Sequence, residues 1–169
     1  MIQERAIISD IQKTKQMVEN LGAVFNGDYI FKDKIFISGN KNDSNYFLRI
    51  RIYLKNNWPT KNVVLIKVES KSSGQINIFF RQEFDAEQDA VNFIKQNFSD
   101  FKYAFEYSRE GWLYDLGKTR IFIENIEELK PSIEIEAGSE EEIQSLFGKL
   151  GAGKKIESVF QEIRRIKYK

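Results

Sequence analysis

The chain has 169 residues, with 26 lysines and arginines against 25 aspartates and glutamates, for a formal net charge of +1. This balance argues against bulk nucleic-acid binding, which needs a net basic face, and no apolar run approaches the ~20 residues of a membrane span. The absence of cysteine and histidine excludes disulfides, thiolate or imidazole zinc sites, Ser-His triads and cysteine nucleophiles. Any metal site would therefore use oxygen ligands, which favour Mg²⁺ or Mn²⁺.

Length and a hydrophobic content of 41% predict one folded domain over residues 1–169. The N-terminus lacks the pattern of a signal peptide, because acidic and polar residues precede only a short apolar run. We therefore expect a cytoplasmic protein that contacts neither membrane nor nucleic acid. The sequence does not decide between a monomer and a homodimer.

The first half of the chain has the pattern of a strand, a helix and an antiparallel meander. A short strand over 2–9 leads to Asp10, which can cap a helix over 11–22 that ends at Gly22. Stretches rich in β-branched and aromatic residues then predict further strands, with turn residues between them: 23–38 (one or two strands), a loop over 38–45, 46–55, 62–70, a hairpin turn over 71–74, and 75–84.

The second half again places helices around antiparallel strands. Ser139 followed by three glutamates suits a helix N-terminus, because the serine side chain caps backbone N–H groups and acids complement the helix dipole. The predicted elements are a helix over 86–98, strands over 101–114, 119–126 and 132–137, a helix over 140–150 and a last helix over 155–169.

Two strands carry like charges at every second residue. Arg49 and Arg51 alternate with bulky aliphatic residues, whereas Glu134 and Glu136 alternate with isoleucines. Side chains alternate across a strand, so each strand has one charged and one apolar face. In one interpretation the charged faces are solvated and form cross-strand ion pairs worth about 0–1 kcal/mol each.

In the other interpretation, amphipathic helices cover the apolar faces and the charged faces line the interior of a closed barrel. Such an interior would hold a polyanion against its bases and a cation against its acids. The apolar faces assigned to the helix-covered side are Leu48/Ile50/Ile52, Val64/Ile66/Val68 and Ile133/Ile135.

The charged motifs occur in a fixed order along the chain: Leu48-Arg49-Ile50-Arg51, Leu65-Ile66-Lys67, Arg81-Gln82-Glu83, Arg109 and Ile133-Glu134-Ile135-Glu136. In this order the sequence resembles the CYTH superfamily, the triphosphate tunnel metalloenzymes, which include class IV adenylyl cyclases, thiamine triphosphatases and inorganic triphosphatases. The resemblance covers nearly the whole chain. It implies an α+β fold, a closed antiparallel β-barrel of about eight strands with helices packed outside.

The resemblance also implies a triphosphate-containing small molecule as ligand and Mg²⁺ or Mn²⁺ as cofactor. The positions that match the phosphate-binding set are Arg5, Arg49, Arg51, Lys67, Arg81 and Arg109. Those that match metal carboxylates are Glu134, Glu136, Glu124 and Glu83, although Glu83 could instead pair with a tunnel base. The implied activity is a metal-dependent phosphohydrolase, with a class IV adenylyl cyclase forming cyclic AMP and pyrophosphate as the alternative. No catalytic residue is assigned.

The first strand departs from the family pattern. The family motif Glu-x-Glu-x-Lys would fall on Met1, Gln3 and Arg5, which removes both carboxylates and replaces lysine by arginine. A slip of one residue would bring in Glu4, but it would place Ala6 at the basic position.

A second departure is Tyr107, two residues before Arg109, where the family commonly has lysine. Hard cations depend on the number of carboxylates. A further alternative is therefore a catalytically impaired protein that binds polyphosphate or a nucleotide. Outside the family, a structural β-protein with a salt-bridged sheet is the remaining interpretation.

Overall fold

The computed structural model describes residues 1–39, 45–71 and 76–167. The predicted loop over 38–45, the predicted hairpin turn over 71–74 and the end of the predicted last helix lie largely or partly outside these residues. The described elements are β1 (Ile2–Ile7), α1 (Ile11–Asn20), β2 (Val24–Ser38), β3 (Tyr46–Lys55), β4 (Val63–Ser70), β5 (Ile76–Phe84), α2 (Glu87–Asn97), β6 (Phe101–Leu116), β7 (Thr119–Ile126), β8 (Ser132–Ala137), α3 (Glu140–Lys149), β9 (Lys155–Ile156) and α4 (Val159–Lys167).

Both predicted helix caps are formed. The Asp10 carboxylate accepts a hydrogen bond from the Lys13 backbone N–H at 2.9 Å, and the Ser139 hydroxyl accepts one from the Glu142 backbone N–H at 3.2 Å. Each cap satisfies a backbone donor that has no partner within the first helical turn. None of the helices in the described ranges is long and apolar enough to cross a membrane.

The strands form one antiparallel sheet in the order β5-β4-β3-β2-β6-β7-β8-β1-β9. The predicted α+β class and antiparallel pairing are confirmed. The predicted closed barrel is not, because among the described residues β5 and β9 stay at opposite edges of the sheet and do not pair. A hydrogen bond between the hydroxyls of Ser70 and Ser158, at 2.9 Å, instead links the end of β4 to the start of α4.

Helices α1, α2 and α3 cover one face of the sheet, which we call the outer face. Ile133 and Ile135 of β8 pack with α1 and α3, and Leu48 and Ile50 of β3 pack with α2. These four side chains are fully buried, and burial of each is worth about 1.5–3 kcal/mol relative to exposure. The prediction that helices cover these two apolar faces is therefore confirmed.

The face assigned to β4 was wrong. Ile66 lies opposite Arg49, and Lys67 lies opposite Leu48, so Val64, Ile66 and Val68 share the inner face with the arginines. The physical reason is that residues 63–66 are four consecutive apolar residues, buried on both faces of the sheet. Such a run has no alternation of polar and apolar residues, so the sequence does not show which residues point to the inner face and which to the outer face.

Helix α4 packs against this inner face. Phe160 stacks on Phe47 with ring centroids 4.0 Å apart and lies 6.1 Å from Phe105, while Ile163 is fully buried in the same cluster. The helix begins at Val159 rather than near 155, because Lys155 and Ile156 form the short strand β9 beside β1. Apolar side chains therefore fill one end of the inner face, and charged side chains occupy the rest of it.

Candidate anion-binding site

Strand register gathers the charged residues of six strands on the inner face. Arg51 lies opposite Asp33, Gly111 lies opposite Glu124, and Arg5 lies opposite Glu134. Directly opposed residues point to the same face of a sheet. The resulting cluster, which we call the arginine network, consists of Arg5, Arg49, Arg51, Arg109, Asp33, Glu124 and Glu134.

Asp33 holds Arg51 in a bidentate pair. Arg51 Nε lies 2.7 Å from Asp33 Oδ1 and Arg51 Nη2 lies 2.8 Å from Asp33 Oδ2. Asp33 is completely buried. Burial alone would raise the pKa of Asp33, but the charges of Arg51 and Arg49 outweigh it and lower this pKa to about 2. The carboxylate is therefore ionised at neutral pH and fixes the arginine beside it.

Glu124 holds two further arginines. Its Oε1 lies 2.5 Å from Arg5 Nη2 and 3.4 Å from Arg109 Nη1, and the neighbouring Tyr29 hydroxyl also helps to lower the pKa of the carboxylate. Burial would raise the pKa of Glu124, but the charges of Arg109 and Arg5 lower it to about 2. Arg5 also contacts Glu134 Oε2 at 2.8 Å.

Gly111 makes room for the tyrosine of this network. A Cβ atom at Gly111 would lie 2.1 Å from Tyr29 Cζ, closer than any side chain tolerates. Burial, together with the neighbouring Glu124 charge, raises the pKa of Tyr29, so its hydroxyl stays protonated and acts as a donor.

Arg49 is the arginine without a counter-ion. In the described ranges it makes no ion pair or hydrogen bond, and its Nε is buried without a partner, as is Nε of Arg109. Burial and the like charge of Arg51 lower the pKa of Arg49 to about 10, so it remains charged at neutral pH. The network thus holds four guanidinium groups against three carboxylates, an excess of one positive charge.

A pocket of about 110 Å³ opens onto the network. Its inner wall contains Arg5, Arg49, Arg109, Tyr107 and Glu134. Its mouth is formed by β9 and the start of α4, through the exposed Lys155 and the half-buried Ser158, whereas the buried Phe160 lines it from inside. Burial raises the pKa of Tyr107, so this residue presents a neutral hydroxyl where the family resemblance implies a lysine.

Three of the predicted phosphate-binding residues do not line this pocket. Arg51 adjoins it and is held by Asp33, and the other two lie farther away. Lys67 is on the outer face, where its ammonium is 5.5 Å from the Phe101 ring centroid, so the structure does not bring it to Arg49. Arg81 is on the inner face of edge strand β5, half exposed, and pairs with Glu83 at 3.2 Å. Glu83 also accepts a hydrogen bond from the Thr60 hydroxyl. Neither residue of this pair lines the pocket.

The other predicted metal carboxylates are each bound by an arginine. Glu124 and Glu134 contact Arg5, and Glu136 contacts Arg120 at 2.5 Å. The described part of the chain contains no group of three acids arranged to hold a metal ion. Hard cations need several free carboxylate oxygens, so these residues do not fit Mg²⁺ or Mn²⁺.

The register of the first strand is also decided. Gln3 and Arg5 lie opposite Glu136 and Glu134, whereas Glu4 lies opposite the outward-facing Ile135. Glu4 bonds to Gln144 of α3 at 2.7 Å and to Lys155 at 3.4 Å, although it also borders the pocket. The slip that would have brought Glu4 to the site in place of Arg5 is therefore wrong.

Sequence reasoning did not assign Asp33, Tyr29, Gly111 or Ser132 to the site. The buried position of Asp33 could have been predicted, because Asp33 is two residues from both Phe31 and Ile35 and therefore lies on the same, otherwise apolar, face of the strand. A charge on the apolar side of a strand requires a partner. Nothing in the sequence marks Tyr29 or Gly111, which lie 82 positions apart (111 against 29) and meet only through the pairing of β2 with β6.

No family model matches the chain, and no curated protein is similar to it. Solved structures are similar. The PH1012 protein of Pyrococcus horikoshii OT3 is 18% identical, with a TM-score of 0.75 over 95% of this chain and 97% of that one. A “putative adenylate cyclase” of Vibrio parahaemolyticus is 8% identical, with a TM-score of 0.71 over 96% of this chain and 95% of that one.

The chain shares the fold of these structures. A third similar structure, of HpAC1 from Hippeastrum, is 13% identical with a TM-score of 0.62 over 88% of this chain and 87% of that one. That protein is described as a “putative adenylyl cyclase” with a dominant triphosphatase activity. At these identities the similarity establishes the fold alone.

Proposed function

We propose that the protein binds a triphosphate-containing small molecule in the pocket of the arginine network. The observation that carries this proposal is Arg49, a partly buried guanidinium on the pocket wall that makes no ion pair in the described part of the chain and whose Nε is buried without a partner. A buried charge that lacks a partner is costly, and an anion from solution would supply the missing partner. Arg109, with its own unpartnered Nε, is the second donor.

Several features favour a phosphate group as the anion. Guanidinium groups bind phosphate oxygens in bidentate fashion, and Arg5, Arg49 and Arg109 all line one small pocket. The N-terminus of α4 is at the mouth, where the helix dipole favours negative charge. Lys155 adds a cation at the entrance.

A triphosphate is favoured over a single phosphate by the number of cationic side chains in the pocket lining, which are four, although the carboxylates of Glu4, Glu134 and Glu157 line it as well. The donors run from Arg49 and Arg109 inside the pocket to Lys155 at its mouth, so a chain of phosphates could contact them in succession. The CYTH-type fold supports the same ligand class, because the similar Hippeastrum protein is described by its triphosphatase activity.

A phosphohydrolase is the second candidate function. Glu134 is the observation that favours it, because this carboxylate lines the pocket and its side chain is 21% exposed. It could therefore reach a bound phosphate or an attacking water. The contact of Glu134 with Arg5 argues against a phosphohydrolase, because it occupies one oxygen of the carboxylate that would act as the base.

Binding is tested by calorimetry with tripolyphosphate, ATP and thiamine triphosphate. Arg49→Met should weaken binding of tripolyphosphate by roughly 10–100-fold, the value of one or two hydrogen bonds from a charged donor. Arg81→Met is the matched control, because it removes an arginine of the same face outside the pocket, and it should change nothing. Equal losses in both variants, or no binding to the wild type, would overturn the proposal.

Turnover is measured on the same ligands, resolving phosphate, pyrophosphate and cyclic AMP. Phosphate release that is lost in Glu134→Gln would establish the phosphohydrolase, and cyclic AMP with pyrophosphate would establish a cyclase. Binding without any product would leave a binding protein with the CYTH-type fold.

A further inference from the structure

Arg5 is the residue on which two carboxylates converge. Its Nη2 lies 2.5 Å from Glu124 Oε1 and 2.8 Å from Glu134 Oε2, so one nitrogen bridges both acids. Its Nη1 donates to the Ser132 hydroxyl at 2.9 Å. Arg5 is 5% exposed, and its three partners come from β8, which pairs with its own strand β1, and from β7, one strand farther away.

A point between two carboxylates is where a divalent cation would be expected to bind. A metal ion at that point would have to displace a guanidinium held by three partners. It would also lie among the positive charges of Arg5, Arg49 and Arg109, which repel a second cation in a buried site. Arg5 therefore occupies the space and supplies the charge that a metal would otherwise provide.

We infer that Arg5 takes the place of a divalent metal ion in this pocket, and that the pocket binds its phosphate anion without metal. The inference rests on the proposed function for the anion, but the occupation of the cation position by Arg5 stands on the contacts of Arg5 alone. Because Arg5 also lines the pocket, its guanidinium offers a positive charge directly to a bound anion.

Metal binding is tested with Mn²⁺ alone, by the loss of the free-ion signal in electron paramagnetic resonance. The wild type should retain no Mn²⁺. Arg5→Gln removes the charge between Glu124 and Glu134, and it should bind Mn²⁺ saturably. Adding Glu134→Gln to Arg5→Gln should abolish that gain, whereas Arg5→Lys, which keeps the charge, should bind none. Saturable Mn²⁺ binding by the wild type that Glu134→Gln removes would overturn the inference.

A second experiment measures anion binding by the wild-type protein alone. It tests whether binding needs a metal ion even if Arg5→Gln does not fold. The dissociation constant for tripolyphosphate is measured in EDTA and again with Mn²⁺ added. We expect binding in EDTA with no requirement for the ion. A weakening of about tenfold or more in EDTA, equivalent to about 1.4 kcal/mol, would overturn the inference while leaving the proposed function intact.

The two proposals fail in different ways. Absence of tripolyphosphate binding under both conditions would overturn the proposed function, and the Mn²⁺ measurements would then decide the role of Arg5 by themselves. Failure of Arg5→Gln to gain Mn²⁺ in a variant that remains folded would count against Arg5 as the replacement for a metal ion.

Discussion

Arg49 differs from the other arginines of the network in what it lacks. Arg51 has Asp33, and Arg5 and Arg109 share Glu124, whereas Arg49 forms no ion pair in the described structure and only feels the charge of the Asp33 carboxylate that Arg51 holds. Positions like this are costly to the free protein and are retained where a ligand completes them. The site is thus defined by one missing negative charge rather than by a cluster of reactive groups.

At the residue scale, Gly111→Ala should displace Tyr29. The added Cβ would lie 2.1 Å from Tyr29 Cζ, and overpacking of this kind costs about 1–3 kcal/mol. The free energy of unfolding in urea should fall accordingly, and the Tyr29 hydroxyl should move away from Glu124. Gly138→Ala is the control, because nothing lies within 4 Å of its added Cβ. Equal stability of the two variants would contradict the prediction.

The pKa of Asp33 predicts an acid dependence of stability. This pKa is lowered in the folded state from its ordinary value of 3.8 to about 2, so the folded state binds fewer protons than the unfolded one. The stabilisation is present above pH 3.8 and is lost as the pH falls toward 2. Urea unfolding across this range should show a steeper loss for the wild type than for Asp33→Asn. Parallel slopes would show that Asp33 does not contribute.

At the element scale, α4 is held by aromatic packing. Phe160 is 4% exposed and stacks on Phe47. Phe160→Ala should lower the free energy of unfolding by about 3–5 kcal/mol, the usual cost of such a truncation. Ile166→Ala, in the same helix but 44% exposed, should cost far less. Urea denaturation measures both, and similar losses would indicate that α4 is not anchored through Phe160.

The elements themselves were largely predictable from sequence. Local interactions between neighbouring residues determine the helix caps at Asp10 and Ser139 and the alternation of β3 and β8. Such interactions can be predicted from the order of the residues alone. The face of β4 was not predictable, because Val63 to Ile66 is apolar on both sides. The short strand β9 was missed for a related reason, since two residues carry no periodicity and pair only because β1 presents a free edge.

For the site, sequence supplied the arginines but not their partners. Arg49, Arg51, Arg109 and Arg5 were all marked by alternation or by the family resemblance, and all four line or adjoin the pocket. The ion pairs that determine what each arginine can do depend on long-range register. Glu124 of β7 contacts Arg5 of β1 because both strands pair with β8, one on each side of it. The sequence does not show this arrangement, so the role of Glu124 as a counter-ion could not be predicted.

At the scale of the whole molecule, the open sheet exposes an edge. β5 has an unpaired side in the described structure, and Ile78 and Phe79 of this strand are 54% and 57% exposed. Unpaired apolar edges promote association with other strands. We expect self-association at high concentration that Ile78→Lys reduces, measured by sedimentation velocity. Val24→Lys, at a similarly exposed position away from β5, is the control and should leave it unchanged.

The bidentate bond between Arg51 and Asp33, and the bonds of Arg5 and Arg109 to Glu124, have a consequence for the thermodynamics of ligand capture. Ordering a long side chain on binding costs about 0.5–1.5 kcal/mol, but these three guanidinium groups are already fixed when the chain folds. An arriving anion therefore meets the guanidinium groups of Arg5 and Arg109 already oriented on the pocket wall. The entropy of ordering is thus met largely during folding, so a small ligand can be held tightly by few contacts.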